Sequence, residues 1–204
     1  MIPDAYTLRD LEYEIPPHLW NSESEAKADY AAREKKLFWR GGTTGRPPQN
    51  SISANRRVQF CIQSLRYSKL VDAKITHVYH FDNNDQSYGE LARLNCTARP
   101  VPESDFGRYS SFVDLDGNSG AWGTFRKYLR LIHVIKPESQ YSLFSHLLQP
   151  SDSFTSVRHE SEIFEALDVD PSFIDDFEVA WRGYKSALKI RQLVIDGDAT
   201  IFPQ

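Results

Sequence analysis

The chain has 204 residues, of which 40% are hydrophobic, 25% charged and 13% aromatic, the balance of a core-forming protein with room for one ordinary domain. No window approaches the roughly 18 consecutive apolar residues of a bilayer span, and the first twenty residues hold four acids, one arginine and no apolar stretch long enough for a secretion signal. The net charge of −4 conceals two opposed segments: nine basic residues against Glu34 alone from Arg33 to Lys69, and nine acids against Arg158 alone from Asp152 to Glu178.

Residues 1–30 read as an irregular N-terminal extension broken by Pro3, Pro16 and Pro17, and residues 31–204 as the folded domain. Across that boundary, residues 23–36 favour a polar surface helix, rich in alanine with acids early and bases late. Lys36–Arg40 predicts a short buried strand running into Gly41-Gly42-Thr43-Thr44-Gly45. Residues 54–67 predict a helix with Val58, Cys61, Ile62 and Leu65 on one stripe. Strands are expected at 74–79, 109–114 and 133–136, and helices at 125–131 and 141–148. A long amphipathic helix closes the chain over 171–195, with Pro171 in its first turn and Phe173, Phe177, Trp181, Tyr184 and Leu188 on its inner face. Strands alternating with helices predict an α/β fold: a Rossmann-like, mainly parallel sheet with flanking helices.

Cys61 and Cys96 lack the spacing of a zinc or redox motif and read as two buried thiols, with a disulfide in an oxidising compartment as the alternative. His77 and His80 would face opposite sides of a strand, so they do not chelate together. His133 sits in an apolar run and reads as a core histidine.

In sheets of this class ligands bind beyond the carboxyl ends of the strands. Two such junctions are rich in glycine and hydroxyls. In the first, Arg40 to Gly45, glycines let backbone N–H groups approach an anion, while the Arg40 fork and the Thr43 and Thr44 hydroxyls suit phosphate oxygens. The second, Asp114-Leu115-Asp116-Gly117-Asn118-Ser119-Gly120, precedes a helix whose free amides would meet a diphosphate. Neither the GxxxxGK[ST] nor the GxGxxG order is present. The DxDG element lacks the remaining ligands of a calcium loop, so no metal site is expected. A basic field within an acidic protein points to a small anionic ligand rather than a nucleic acid; solvated surface faces are the plainer alternative.

Taken together, the order of these motifs resembles glycosyltransferase family 90, the capsule-associated and protein O-glucosyltransferase (Rumi-like) family. The resemblance rests on Phe38-Trp39-Arg40-Gly41-Gly42-Thr43-Thr44-Gly45, on Asn55-Arg56-Arg57 opening a helix, and on Arg108-Tyr109 through Asp114-Leu115-Asp116-Gly117-Asn118-Ser119. Val134-Ile135-Lys136, Tyr141–Leu148 and Leu148-Gln149-Pro150 continue it, so that it spans residues 30 to 200. It implies the donor-binding half of a two-lobed GT-B transferase, which moves a sugar from UDP-glucose or UDP-xylose to a hydroxyl of a glycan or protein acceptor without a required metal. By position, Gly42, Thr43 and Arg56 would contact the nucleotide or its diphosphate, and Asp116, Gly117, Asn118 and Ser119 would form the second phosphate-side loop. Where the family has an arginine before the next helix this chain has Gly123, and Arg126, one turn later, is the expected substitute.

The resemblance also implies an acceptor-side lobe ahead of the WRG strand. Only 38 residues precede Trp39, so the expectation is a chain without that lobe, and no catalytic base is assigned. A truncated, non-catalytic nucleotide-sugar-binding module is the alternative of the same fold, and a Rossmann-like domain for another phosphorylated ligand a third. The family works in the secretory pathway, for which this sequence shows no leader or anchor.

Overall fold

Short apolar runs in this chain pair side by side because both faces of the sheet they make are covered. The computed structural model describes residues 19–45, 52–79, 81, 84–118, 123–139 and 153–196. Within them run strands β1 (Glu34–Gly42), β2 (Val71–His77), β3 (Tyr109–Val113), β4 (His133–Pro137) and β5 (Thr155–Val157). The helices are α1 (Glu23–Ala31), α2 (Arg56–Ser64), α3 (Asn84–Arg93), α4 (Thr124–Leu129), α5 (Ser161–Val169) and α6 (Phe177–Ile195). The strands form one sheet in the order β2-β1-β3-β4-β5, every pair parallel. This is the expected Rossmann-like α/β architecture. From β1 the chain steps outward to β2, then returns past β1 to β3 and continues the other way. The direction reverses between β1 and β3, the switch point beyond whose carboxyl ends sheets of this class form their ligand crevice.

The connections β1→β2 and β3→β4 advance in opposite directions, so the right-handed rule puts α2 and α4 on opposite faces, and the two helices bury their side chains in separate clusters. On the α2 face, Phe60 meets Phe164 of α5 with centroids 5.1 Å apart. On the α4 face, Phe125, Tyr128 and Leu129 pack with Val134, Ala187 and Ile190. Ala26 and Tyr30 of α1 are buried with Leu131, Ala180 and Tyr184, so the boundary expected at residue 30 falls inside a packed layer. Cys61 and Cys96 are buried and unbridged. Burial pushes the Cys61 thiol well above its ordinary pKa.

Several boundaries differ from the sequence expectation for identifiable reasons. The first helix ends at Ala31 rather than 36, because Arg33 turns away to donate to the carbonyls of Arg130 (3.0 Å) and Leu131 (2.8 Å), and Glu34 enters the ladder opposite Tyr109. Tertiary pairing overrides the helical preference of Glu-Lys-Lys. Strand β2 starts at Val71, three residues early, where it lies opposite Leu37. The closing helix is split: Pro171–Ile174 forms a 3-10 turn, and α6 starts afresh at Phe177 with the Asp176 carboxylate accepting from the Val179 amide. Helices α3 and α5 and strand β5 were not expected from the sequence. The expected helix at 141–148 lies outside the described residues.

One close approach has a measurable consequence. A Cβ added to Gly183 of α6 would lie 2.6 Å from the Ser153 carbonyl oxygen and 2.9 Å from the Tyr128 ring. Gly183→Ala gains about 1 kcal/mol of helix propensity and loses more to overpacking against backbone, about 1–3 kcal/mol. A net loss in urea denaturation is the expected result, against the gain an open helix position would give.

Candidate functional site at the sheet switch point

The lip on β1 begins with a register shift. Gly41 lies opposite Ile75, but Gly42 lies opposite His77, and the ladder slips by one residue between them. The chain then leaves the sheet through Thr43, which is fully buried. Its amide donates to the His77 carbonyl (3.1 Å). Its hydroxyl donates to the Tyr79 carbonyl (3.1 Å) and accepts from the Tyr79 amide (2.8 Å). Thr43 therefore joins the ends of β1 and β2, and its one hydroxyl proton is spent on the Tyr79 carbonyl and not on a phosphate oxygen.

Asn55 sets the direction of α2. Its Oδ1 caps the helix by accepting from the amides of Arg57 (3.0 Å) and Val58 (3.3 Å). Its Nδ2 donates to the Thr43 carbonyl (2.9 Å). One buried amide thus fixes the helix N-terminus to the exit of β1.

The second lip is 115–118, after β3. It is joined to the first in two ways. The Gly45 amide, at φ +106° in a conformation that suits glycine, donates to Asn118 Oδ1 (2.9 Å). The Arg57 guanidinium spans the gap: Nε donates to the Asp116 carbonyl (2.9 Å), Nη2 to the Leu115 carbonyl (2.6 Å), and Nη1 to the Gly42 carbonyl (3.1 Å) and Thr44 Oγ1 (2.6 Å). Its planar fork suits several fixed acceptors at once. All four partners are neutral oxygens, and burial lowers the Arg57 pKa to about 10, with the charges of Asp114 and Asp116 opposing that shift. Gly117 fits beside this brace because it lacks a side chain: a Cβ there would lie 2.6 Å from Thr44 Oγ1 and 2.9 Å from Arg57 Nη2.

Around the brace lies a charged floor. Asp114 is buried and accepts from Thr124 Oγ1 (2.8 Å) and from Lys136 Nζ at the end of β4 (2.6 Å). Burial raises the pKa of Asp116, partly offset by the Ser139 hydroxyl and the Lys136 charge. Arg56 pairs with the buried Glu160 just ahead of α5 (Nη2 to Oε2 2.6 Å), and the exposed His159 stands 3.6 Å from the same oxygen. Among the described residues no group of three or more His, Cys, Asp or Glu side chains is placed to hold a metal ion.

Of the sequence-expected residues, Gly42, Thr44, Asp116, Gly117 and Asn118 meet at the crevice. Arg40 does not reach it: its guanidinium turns back along the sheet to Asp72 (2.8 Å), which lies opposite Phe38. Arg56 is held by Glu160, and Arg126 pairs with Glu103 (3.0 Å). Ser119 lies outside the described residues. Sequence reasoning passed over Arg57, Asp114, Lys136 and Glu160 as site residues. Arg57 was within reach of it, since this residue stands one turn before buried Cys61 and two before buried Ser64, on the inward stripe of α2. No protein-family model matches the chain, and no curated protein matches it.

Proposed function

We propose that the crevice between β1 and β3 binds the diphosphate of a UDP-sugar, and that the chain is the donor-binding half of a GT-B-type glycosyltransferase that transfers the sugar to a hydroxyl of a glycan or protein. One observation carries the reading. The two loops that the sequence singles out for phosphate, 42–45 and 115–118, close on each other at the switch point through the charged Arg57 side chain. The Arg57 guanidinium bonds only neutral oxygens, so its charge is balanced at a distance by Asp114 and Asp116 and not by a bonded carboxylate, which supports an anion beside it. In sugar transfer the diphosphate leaves with added negative charge, and fixed positive groups lower the barrier by stabilising it.

A second reading has its own support. Arg56 and Arg126, the further cations that would neutralise a leaving diphosphate, are paired with Glu160 and Glu103. That pairing favours a module that binds the nucleotide sugar without turning it over.

Calorimetric titration with UDP tests the shared claim: saturable binding is expected, and no heat at millimolar UDP from folded protein overturns it. Release of free UDP from UDP-sugars, with and without hydroxyl acceptors, separates the two readings. Turnover selects the transferase, and saturable binding without release selects the module.

A further inference from the structure

Arg57 closes the crevice but has little left to give a ligand. Of the five N–H groups of a guanidinium, four are spent on the Gly42, Leu115 and Asp116 carbonyls and on Thr44 Oγ1. Arg40 and Arg126 are turned to Asp72 and Glu103. Arg56 pairs with Glu160, and at 37% exposure its side chain has solvent for its remaining donors. Lys136 differs from all of these. Its ammonium carries three donors and among the described residues bonds only Asp114 Oδ2, at 2.6 Å. The side chain is 13% exposed, so water serves the other two donors poorly.

The strand ends set its place. The Asp114 amide donates to the Ile135 carbonyl (2.9 Å), which brings the ends of β3 and β4 level. Val134 packs in the α4 cluster and Ile135 in the main one, so alternation turns Lys136 toward α4. Asp114 is held there by Thr124 Oγ1 (2.8 Å) and fixes the ammonium in turn. Arg57 reaches the Asp116 carbonyl from α2, and the Lys136 charge acts on the Asp116 carboxyl. Two cations thus flank one residue of the second lip.

We infer that Lys136 is the residue that grips the phosphoryl oxygens of the diphosphate, with Asp114 and Thr124 holding its ammonium in place. This deepens the UDP-sugar reading and rests on it. A compact ammonium with rotatable donors follows oxygens that move as a leaving group departs, whereas a guanidinium tied to both lips does not. A cation fixed before reaction stabilises the charge that the diphosphate gains. Burial already holds Asp116 toward its neutral form, which lessens its repulsion of an anion at Lys136.

The test titrates UDP and inorganic pyrophosphate into the full-length wild type, Asp114→Asn and the double variant Lys136→Met with Asp114→Asn. Removing Lys136 alone would strand a buried carboxylate, so the pair is neutralised together; urea midpoints verify that each protein is folded. The double variant is expected to weaken both probes by roughly 10- to 100-fold. Asp114→Asn keeps the ammonium and removes its counter-charge, so it is expected to tighten both by at least about twofold. A merely structural pair would weaken binding in both variants, so Asp114→Asn decides by sign alone. A folded double variant within about twofold of the wild type on pyrophosphate, or Asp114→Asn weakened as much as the double variant, overturns the Lys136 contact and leaves the crevice reading standing. Folded wild type that binds neither probe removes both together.

Discussion

Arg57→Met is expected to lower the unfolding free energy by about 3 kcal/mol. The methionine keeps the stem that packs near Trp39, whose ring lies 5.5 Å from the guanidinium carbon, so the loss is mainly polar. Three carbonyls and the Thr44 hydroxyl lose their donor in a part-buried cleft. A hydrogen bond from a charged donor contributes about 1.5–3 kcal/mol, and four on one side chain do not add independently. Arg57→Lys recovers only part of this, because a single ammonium cannot reach acceptors on both lips in the geometry of a fork. Urea denaturation of the three proteins checks it. A loss below about 1 kcal/mol for Arg57→Met would mean that Gly45–Asn118 and Asn55 hold the lips without it.

The second large effect depends on pH. His133 is fully buried at the start of β4, with Nε2 2.7 Å from Thr155 Oγ1 of β5. Burial lowers its pKa from 6.5 to about 4, and the charge of Asp176, the Ile174 backbone and the charge of Asp175 oppose that shift in part. The folded protein therefore holds a neutral imidazole in a range where the unfolded chain takes up a proton. Between pH 6.5 and 4 the unfolded state binds more protons, so stability falls as pH falls across that window and the contribution levels off below it. The full loss is about 3 kcal/mol. Urea midpoints at steps between pH 7 and 4, compared with His133→Gln, isolate it from the carboxylates that titrate nearby. The variant is less stable at pH 7 and has the shallower pH dependence. Parallel curves for the two proteins would place the histidine proton elsewhere.

The parallel sheet was legible because its central strands are short apolar runs, two of which end in glycine or aspartate. Phe38-Trp39-Arg40-Gly41, Phe112-Val113-Asp114 and Val134-Ile135 read as buried strands from local sequence alone. What was illegible is local sequence that says one thing while distant pairing decides another. Glu34-Lys35-Lys36 reads as the end of a helix and is strand because Tyr109 lies opposite. Thr155–Val157 is too short and polar to read as a strand, and it is one because β4 offers an edge. At the site, both lips were visible as glycine and hydroxyl clusters. The choice between Arg56 and Arg57 turned on about 100° of helix rotation, which the inward stripe of α2 carries, and on the capture of Arg56 by Glu160, 104 residues away, which no local signal carries. The opposed charge segments of the sequence likewise turn out to be partners, through Lys35–Asp175 and Arg56–Glu160.

The Arg57 brace also bears on how the crevice breathes. Loop 42–45, the start of α2 and loop 115–118 come from three separate stretches of chain, and one guanidinium touches all three. Fraying of one breaks bonds to the others. In amide hydrogen exchange the three stretches are therefore expected to open together, set apart from the independent fraying of helix ends.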